Sequence, residues 1–522
     1  MHFDVIQLRK IFFLASLLAI LVFIVFVNCL SHQFTYWDDN KYILNNPLVQ
    51  EFSWPAVGRM FATWRVQYHQ YHPLTLLSFA AEYHFFKAAA GVYIFHNLLL
   101  HAANTILVFA LILILTRGRM FSAWLAAALF GVHPMHVESV AWIVERKDVL
   151  YAFFYLAALI FYSQHSRDGK SGNWTWPVFL LFIGSLLSKP AAVTLPLALL
   201  LLDYYWHGRL RCRDWLIKTP FFVLSVIFGT IGLAQRPLGL ATPYPGIDQI
   251  YFGSMAVLTY LWKAVFPVQL SGFYPFPEKI NGYYPAEFYA APFVLIAVTA
   301  GLFYLARKQR LVLFGLLFFY TLILLTAGFV NLNNSLLADR YTYVAYIGLF
   351  FIAAGFWGAG EGPAVKKRRW CACGIVLLFA VMAWQRCTVW QDGITLWSDV
   401  IKKYPREVQA YRNRGSEFGR RGKFFPAWRD FNQALALDPS NPAGYNNRGY
   451  LYYEMGKWQN ALADFSFSLA LDPGLVIAYF NRAAVYIKIG DREKARQDYR
   501  QIIKIAPGMT AARQALEQLE KP

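Results

Sequence analysis

The sequence predicts an all-α protein in two parts, a polytopic helical membrane domain over residues 1–390 and an α-solenoid over residues 391–522. Three observations predict it. The chain of 522 residues is 57% hydrophobic and only 15% charged, too apolar for an ordinary soluble protein of that length. Apolar runs of about 20 residues, the length that crosses a bilayer, recur along the first three quarters. Past residue 402 they stop, and a period of 34 residues takes over.

The first run, Ile11 to Leu30, follows Arg9 and Lys10, and no small-residue cleavage site follows it. It reads as a retained anchor with a cytoplasmic N-terminus. A net charge of +19 would suit a nucleic-acid partner, but much of it lies in short segments between apolar runs. Those segments hold Arg117 and Arg119, Arg167 and Lys170, Arg209, Arg211 and Arg213, Arg307, Lys308 and Arg310, and Lys366 to Arg369. They orient a membrane protein among its lipids, and no nucleic acid is expected. Spans are placed near 11–30, 92–116, 120–135, 149–163, 175–188, 191–206, 219–235, 288–306, 311–330, 341–358 and 371–385, eleven crossings that leave the C-terminus outside the cytoplasm. The apolar segment 252–270 is read as re-entrant or interfacial, since counting it would put Arg307, Lys308 and Arg310 outside. Cys29, Cys212, Cys371, Cys373 and Cys387 form no even framework and carry neither a disulfide nor a zinc argument.

In the C-terminal part Pro405, Pro439, Pro473 and Pro507 keep the 34-residue period. So do Gly422, Gly456 and Gly490, then Ala427, Ala461 and Ala495, and then Phe431, Phe465 and Tyr499. This is the signature of tetratricopeptide units, in which glycine permits the turn, small residues let paired helices approach and proline ends each unit. Three units with a capping helix at Thr510–Gln518 are expected. Their concave face suits a polypeptide; a scaffold or dimerisation surface is the plainer use.

Candidate chemistry begins where the first span leaves the membrane. Asp38 and Asp39 stand together in Tyr36-Trp37-Asp38-Asp39-Asn40. Span packing does not require adjacent acids there, whereas chemistry at a bilayer surface needs a carboxylate to take a proton or hold a cation. A capped turn is the competing reading. The outer loop they open, residues 31–91, carries Trp64, Arg65, Tyr68, His69, Tyr71 and His72, a composition suited to helices lying at the interface. Asn97, His101 and Asn104 share one face of the next span, where interhelical hydrogen bonding is expected of the two asparagines.

His133, His136 and Glu138, then Glu145-Arg146-Lys147-Asp148, surround a very short second outer loop. A charge at mid-bilayer depth costs about 2.5–3.5 kcal/mol, so these groups should pair and border a polar cavity. His-x-x-His with Glu supplies zinc-ligand types, but Pro134 intervenes and a third fixed ligand is missing. Lys189 and Arg340 each stand at an outer membrane edge where a lipid-linked phosphate would lie. Snorkelling beside headgroups is the alternative for either.

Taken in order, Asp38-Asp39, Tyr71-His72-Pro73-Leu74-Thr75, His96-Asn97 with His101 and Asn104, His133-Pro134-x-His136-x-Glu138, Arg146-x-Asp148 and Asp339-Arg340-Tyr341, ahead of tetratricopeptide units, resemble one family. It is that of the transmembrane and tetratricopeptide-containing O-mannosyltransferases, particularly their bacterial-type relatives. The membrane part is similar to the wider class of multispan glycosyltransferases that use polyprenyl-phosphate sugars, called GT-C. The resemblance implies that Asp39, or its neighbour Asp38, deprotonates an acceptor Ser or Thr, and that Arg340 and Lys189 hold the leaving phosphate. It also implies inversion at the sugar carbon, and a cavity lined by His133, His136, Glu138, Arg146, Asp148, His72 and His101, with Arg146 and Asp148 a structural pair. A divalent cation, Mg or Mn, held by Asp38 or Asp39 is left open, because a monophosphate tied down by Arg and Lys can leave without one.

Two departures limit the carry-over. Animal members have longer repeat arrays, and Pro190 stands where they generally have an acid. The expected activity is transfer of mannose or another hexose from a polyprenyl-phosphate donor to a protein hydroxyl outside the cytoplasm, with the repeats engaging the acceptor. That means a bacterial inner membrane with repeats in the periplasm, or the endoplasmic reticulum membrane in a eukaryote. A lipid or polysaccharide acceptor, or a non-catalytic assembly scaffold, are the alternatives.

Overall fold

The computed structural model describes residues 4–63, 71–167, 175–234, 244, 246–329, 335–358, 360 and 362–521. Among them all regular structure is helical, apart from one isolated bridge between Ile280 and Tyr283. The chain divides into two units, Met1–Asp392 and Gly393–Pro522.

In the first unit, helix Val5–Phe26 opens on a capping box. Asp4 accepts from the Gln7 amide at 2.7 Å, and the Gln7 side chain accepts from the Asp4 amide at 3.3 Å. Helices Ala90–Leu115, Met120–Val132, Arg146–Arg167, Thr342–Gly358 and Pro363–Cys387 pack around one another and this helix. Small residues allow the close approach. A side chain at Gly131 would meet Val22 at 2.8 Å, and one at Gly348 would collide with the backbone of Gly315 on helix Arg310–Ile323. Helices Cys212–Ala234 and Ala286–Ala306 instead turn Val223, Val226, Phe293 and Ile296 outward, as lipid-facing helices do.

Each of the eleven segments expected to cross the membrane is largely helical among its described residues. By length and composition, six described helices suffice to cross: Val5–Ser31, Ala90–Leu115, Cys212–Ala234, Ala286–Ala306, Asp339–Gly358 and Pro363–Trp390. A seventh arises if the bent pair Met120–Val132 and Pro134–Ala141 counts as one span. Much of the difference is a matter of length. Thr175–Ser188 and Arg310–Ile323 have 14 residues each, about 21 Å of helix, against a hydrocarbon core of about 30 Å.

Segment 252–270 begins inside helix Gly246–Lys263, which is not among the helices long and apolar enough to cross, and continues as irregular chain. Phe252, Ala256, Val257 and Tyr260 face inward, while Ile247, Ile250 and Trp262 are exposed. The outer loop 31–91 carries helices Pro47–Gln50, Trp54–Ala62 and Pro73–Phe86. Trp64, Arg65, Tyr68 and His69, singled out in the sequence, lie outside the described residues, as does Lys170.

The second unit starts with helix Gly393–Lys403 and continues in three hairpins. These are Val408–Arg420 with Phe424–Leu437, Pro442–Glu454 with Trp458–Leu471, and Val476–Lys488 with Arg492–Ile505; Thr510–Glu520 closes the stack. The turn inside each hairpin passes through Gly422, Gly456 or Gly490 at φ +70°, +72° and +85°, where a side chain would be strained. One polar device recurs in every hairpin. Arg414, Arg448 and Arg482 make two-pronged pairs with Asp430, Asp464 and Asp498 at 2.7–3.0 Å. A third guanidinium nitrogen of each reaches back to Ser398, Asn432 or Ser466 on the preceding helix. Consecutive units are thereby stitched together by charge-assisted bonds.

Candidate functional site

Between Val132 and Arg146 the chain cannot continue as one helix, because Pro134 has no amide to donate and constrains the residue before it. It folds instead into the turn Pro134–His136, the short helix Val137–Ala141 and the turn Ile143–Glu145. This compact path carries Glu138, Glu145, Lys147 and Asp148 to the turn Asp339–Tyr341. Glu138 accepts from the Arg340 amide at 3.0 Å and from its guanidinium at 2.5 Å. Arg340 Nε lies 3.3 Å from a Glu145 oxygen, and Lys147 Nζ lies 3.2 Å from the same oxygen. Lys189 follows helix Thr175–Ser188, where Pro190 opens a new turn. Its ammonium pairs with Asp148 and lies 4.0 Å from the second Glu145 oxygen. Lys189 and Arg340, the two expected phosphate holders, therefore meet at one carboxylate.

Helix Gly246–Lys263 and the irregular chain after it brace Arg340. Tyr260 OH accepts from the Ala338 amide at 3.0 Å, and Tyr274 OH donates to Asp339 at 2.6 Å. The Arg340 guanidinium also lies 5.0 Å from the Tyr341 ring and 5.6 Å from that of Trp142. Trp142 stacks with Trp37 at 4.6 Å and with Trp390 at 5.6 Å. Through Trp37 the acid-pair loop touches the cation cluster.

That loop is shaped by Asp39. One carboxylate oxygen accepts from the Thr35 amide at 2.8 Å and its hydroxyl at 2.6 Å, and Tyr36 between them adopts the left-handed φ of +54°. The other oxygen has no hydrogen-bond partner among the described residues, although Asp39 is fully buried. Burial pushes the carboxyl up to about 6, with the bonds from Thr35 opposing and the charge of Asp38 adding. Asp38 is partly exposed and pairs with Lys41 at 3.3 Å. The two acids thus serve different partners. Among the described residues no three His, Cys, Asp or Glu side chains are grouped to hold a metal ion.

Glu145 closes the turn Ile143–Glu145 and is fully buried. Burial alone would raise its carboxyl, but Lys147, Arg340 and Lys189 outweigh burial and hold it below the usual carboxylate range. Lys147 also lies 5.2 Å from the ring of Tyr42, which stacks on His72 at 5.1 Å. His72 therefore meets this cluster through Tyr42.

The remaining expected residues are placed elsewhere. Arg146 and Asp148 do not pair, contrary to expectation: residues two apart on a helix point to different sides. Arg146 turns to Glu82 with contacts of 2.5 and 3.2 Å, and also to Asn97 and the Tyr93 carbonyl, while Asp148 turns to Lys189 and Ser139. Asn97 and Asn104 join helices as expected, to the carbonyls of Val140 and Val149 at 3.2 and 2.8 Å. His101 bridges the Gly131 carbonyl at 3.0 Å and Tyr343 OH at 2.7 Å. His133 and His136 are enclosed by Phe130, Tyr343, Tyr346, Phe350 and Phe379 and bond to the Ala264 and Phe130 carbonyls. Each of these three histidines has a packing explanation. Lys147 and Glu145 were visible only as members of a charged run, and no spacing in the sequence marked Trp37, Trp142 or Tyr274.

Fold and site define a multi-pass membrane protein with a tetratricopeptide solenoid and a buried cluster of cations beside an acid pair. Family profiles described as TPR repeat and tetratricopeptide repeat match residues 415–456, 442–475 and 476–509. A protein O-mannosyl-transferase of Caenorhabditis elegans is 23% identical over 80% of this chain and 61% of its own length. Mouse protein O-mannosyl-transferase TMTC3 is 23% identical over 71% of the chain and 45% of itself. Human TMTC2 is 30% identical over 36% and 24%. The chain is a relative of these O-mannosyl-transferases, and spans less than two thirds of each. Among solved structures, the crystal structure of MamA covers 24% of the chain with 24% identity and a TM-score of 0.23.

Proposed function

We propose that this protein is an integral-membrane glycosyltransferase that moves a hexose, mannose if its relatives' names carry over, from a polyprenyl-phosphate donor to a Ser or Thr hydroxyl of a protein. The observation that carries the reading is the meeting of Arg340, Lys189 and Lys147 at one carboxylate, beside the loop of Asp39. Buried cations at a membrane edge suit a lipid phosphate, and an unpaired buried carboxylate oxygen suits proton abstraction.

In the proposed step the acceptor oxygen forms a bond to the sugar's anomeric carbon while its proton passes to Asp39. The bond from that carbon to the phosphate oxygen breaks, and its electron pair leaves with polyprenyl phosphate. Arg340 and Lys189 offset the charge growing there. The connections bearing site residues alternate along the chain with those bearing Arg117 and Arg119, Arg307 to Arg310, and Lys366 to Arg369. This alternation supports a site outside the cytoplasm, with the repeats on the same side engaging the acceptor.

The test uses membranes carrying the native chain or Asp39→Asn and a panel of radiolabelled polyprenyl-phosphate sugars. Label entering protein with the native chain and lost in the variant is the expected result, and it names the sugar. Label entering lipid instead would move the acceptor to that class. No label from any donor would overturn the reading and favour a scaffold.

A further inference from the structure

We infer that Glu145 is an exchangeable stand-in for the phosphate of the departing polyprenyl phosphate: its carboxylate holds Lys147, Lys189 and Arg340 in place and yields them when that phosphomonoester forms or binds. The inference rests on the proposed polyprenyl-phosphate donor. The other buried acids nearby are held firmly. Glu138 takes two directed bonds from Arg340, Asp148 takes Lys189 and Ser139, and Glu82 takes two from Arg146.

Glu145 differs from them in its bonding. Three cations approach it at 3.2, 3.3 and 4.0 Å, yet none reaches its oxygens along a hydrogen-bond line, and the Asp148 carboxyl adjoins it. Charge holds it: the Asp148 carboxyl is a hydrogen-bond partner, and none of the three cations is. A planar carboxylate presents two oxygens to three converging cations, whereas a phosphomonoester presents three terminal oxygens in a tetrahedral array. Arg340 and Lys189 would each keep another carboxylate after the exchange. Lys147 has Glu145 as its one ion-pair partner within 4.0 Å among the described residues, so it has the most to gain from an incoming phosphate. Glu145 also lies on a one-turn segment between two helices, where a side chain can swing without unwinding a helix.

The experiment measures binding of a polyprenyl monophosphate to the full chain in nanodiscs, with unphosphorylated polyprenol and inorganic phosphate as comparison ligands. Native protein, Glu145→Gln, Glu145→Asp and Lys147→Met are compared. Removing the competing charge should tighten polyprenyl phosphate binding at least fivefold in Glu145→Gln, and Glu145→Asp, whose shorter arm grips the cations less, should also bind more tightly than native. Lys147→Met should weaken it at least fivefold. Inorganic phosphate should follow the same order, and polyprenol should bind all four alike.

If the native chain binds polyprenyl phosphate but neither Glu145 variant binds it more tightly, the exchange is overturned and the donor reading stands. Tighter binding of polyprenol as well would also overturn it, since the phosphate would then not be what is exchanged. If the folded native chain binds no polyprenyl phosphate, the donor reading falls and the exchange with it. Should Glu145→Gln fail to fold, Glu145→Asp alone decides the matter.

Discussion

Arg146 and Glu82 show how much a single buried side chain can carry. Their contact joins a helix of the outer loop to the head of a bundle helix, and losing one partner leaves the other charged with no water nearby. Arg146→Met should cost about 3–5 kcal/mol of stability, and adding Glu82→Leu should recover much of it, as unfolding curves in detergent would register. At Asp39 the expected effect is on rate. Its carboxyl is raised to about 6, so the base form disappears below that pH; kcat/KM should fall about tenfold per pH unit there, and Asp39→Asn should remove the activity that shows this limb. The sign for stability runs the other way. A raised value means that the folded state binds the proton more tightly, so ionising Asp39 lowers stability as pH rises from 3.8 to about 6, and Asp39→Asn should flatten that part of the curve. Individual charges such as Lys189 and Arg340 were legible in the sequence because a charge beside a span is costly without a purpose. Their partners were not, since the contact between Arg340 and Glu138 crosses 202 residues that no local pattern records.

Among elements, the solenoid was legible almost helix by helix, because its 34-residue period repeats glycines and small residues at fixed geometric tasks. Even there the aspartates 16 residues beyond each repeated arginine went unread, although they keep the same period. Arg448→Met should cost about 1.5–3 kcal/mol locally, with faster hydrogen exchange in helices Pro442–Glu454 and Trp458–Leu471 of the full-length chain. Unchanged exchange would mean that apolar packing alone holds the stack. The segments read as spans are largely helical among their described residues, but hydropathy could not say which were long enough to cross. Short helices such as Arg310–Ile323 gain their place from backbone contact at Gly315, which composition does not display.

At the scale of the whole molecule, two units share the proposed work unequally. The membrane unit contains every residue assigned to donor and base, so deleting residues 393–522 should abolish transfer to protein while sparing transfer to a small lipid acceptor, measured with the same labelled donor. Loss of both would assign the repeats a part in the chemistry. The separation between Glu138 and Arg340 also has a consequence for biosynthesis. A ribosome adding about 5–20 residues per second needs on the order of 10–40 s to reach the arginine after passing the glutamate. Throughout that interval the nascent chain holds Glu138 and Glu145 without the guanidinium that later balances them. Insertion machinery or lipid headgroups must shelter those acids until the arginine emerges, and chains terminated before residue 340 should be recognised as unfinished and degraded.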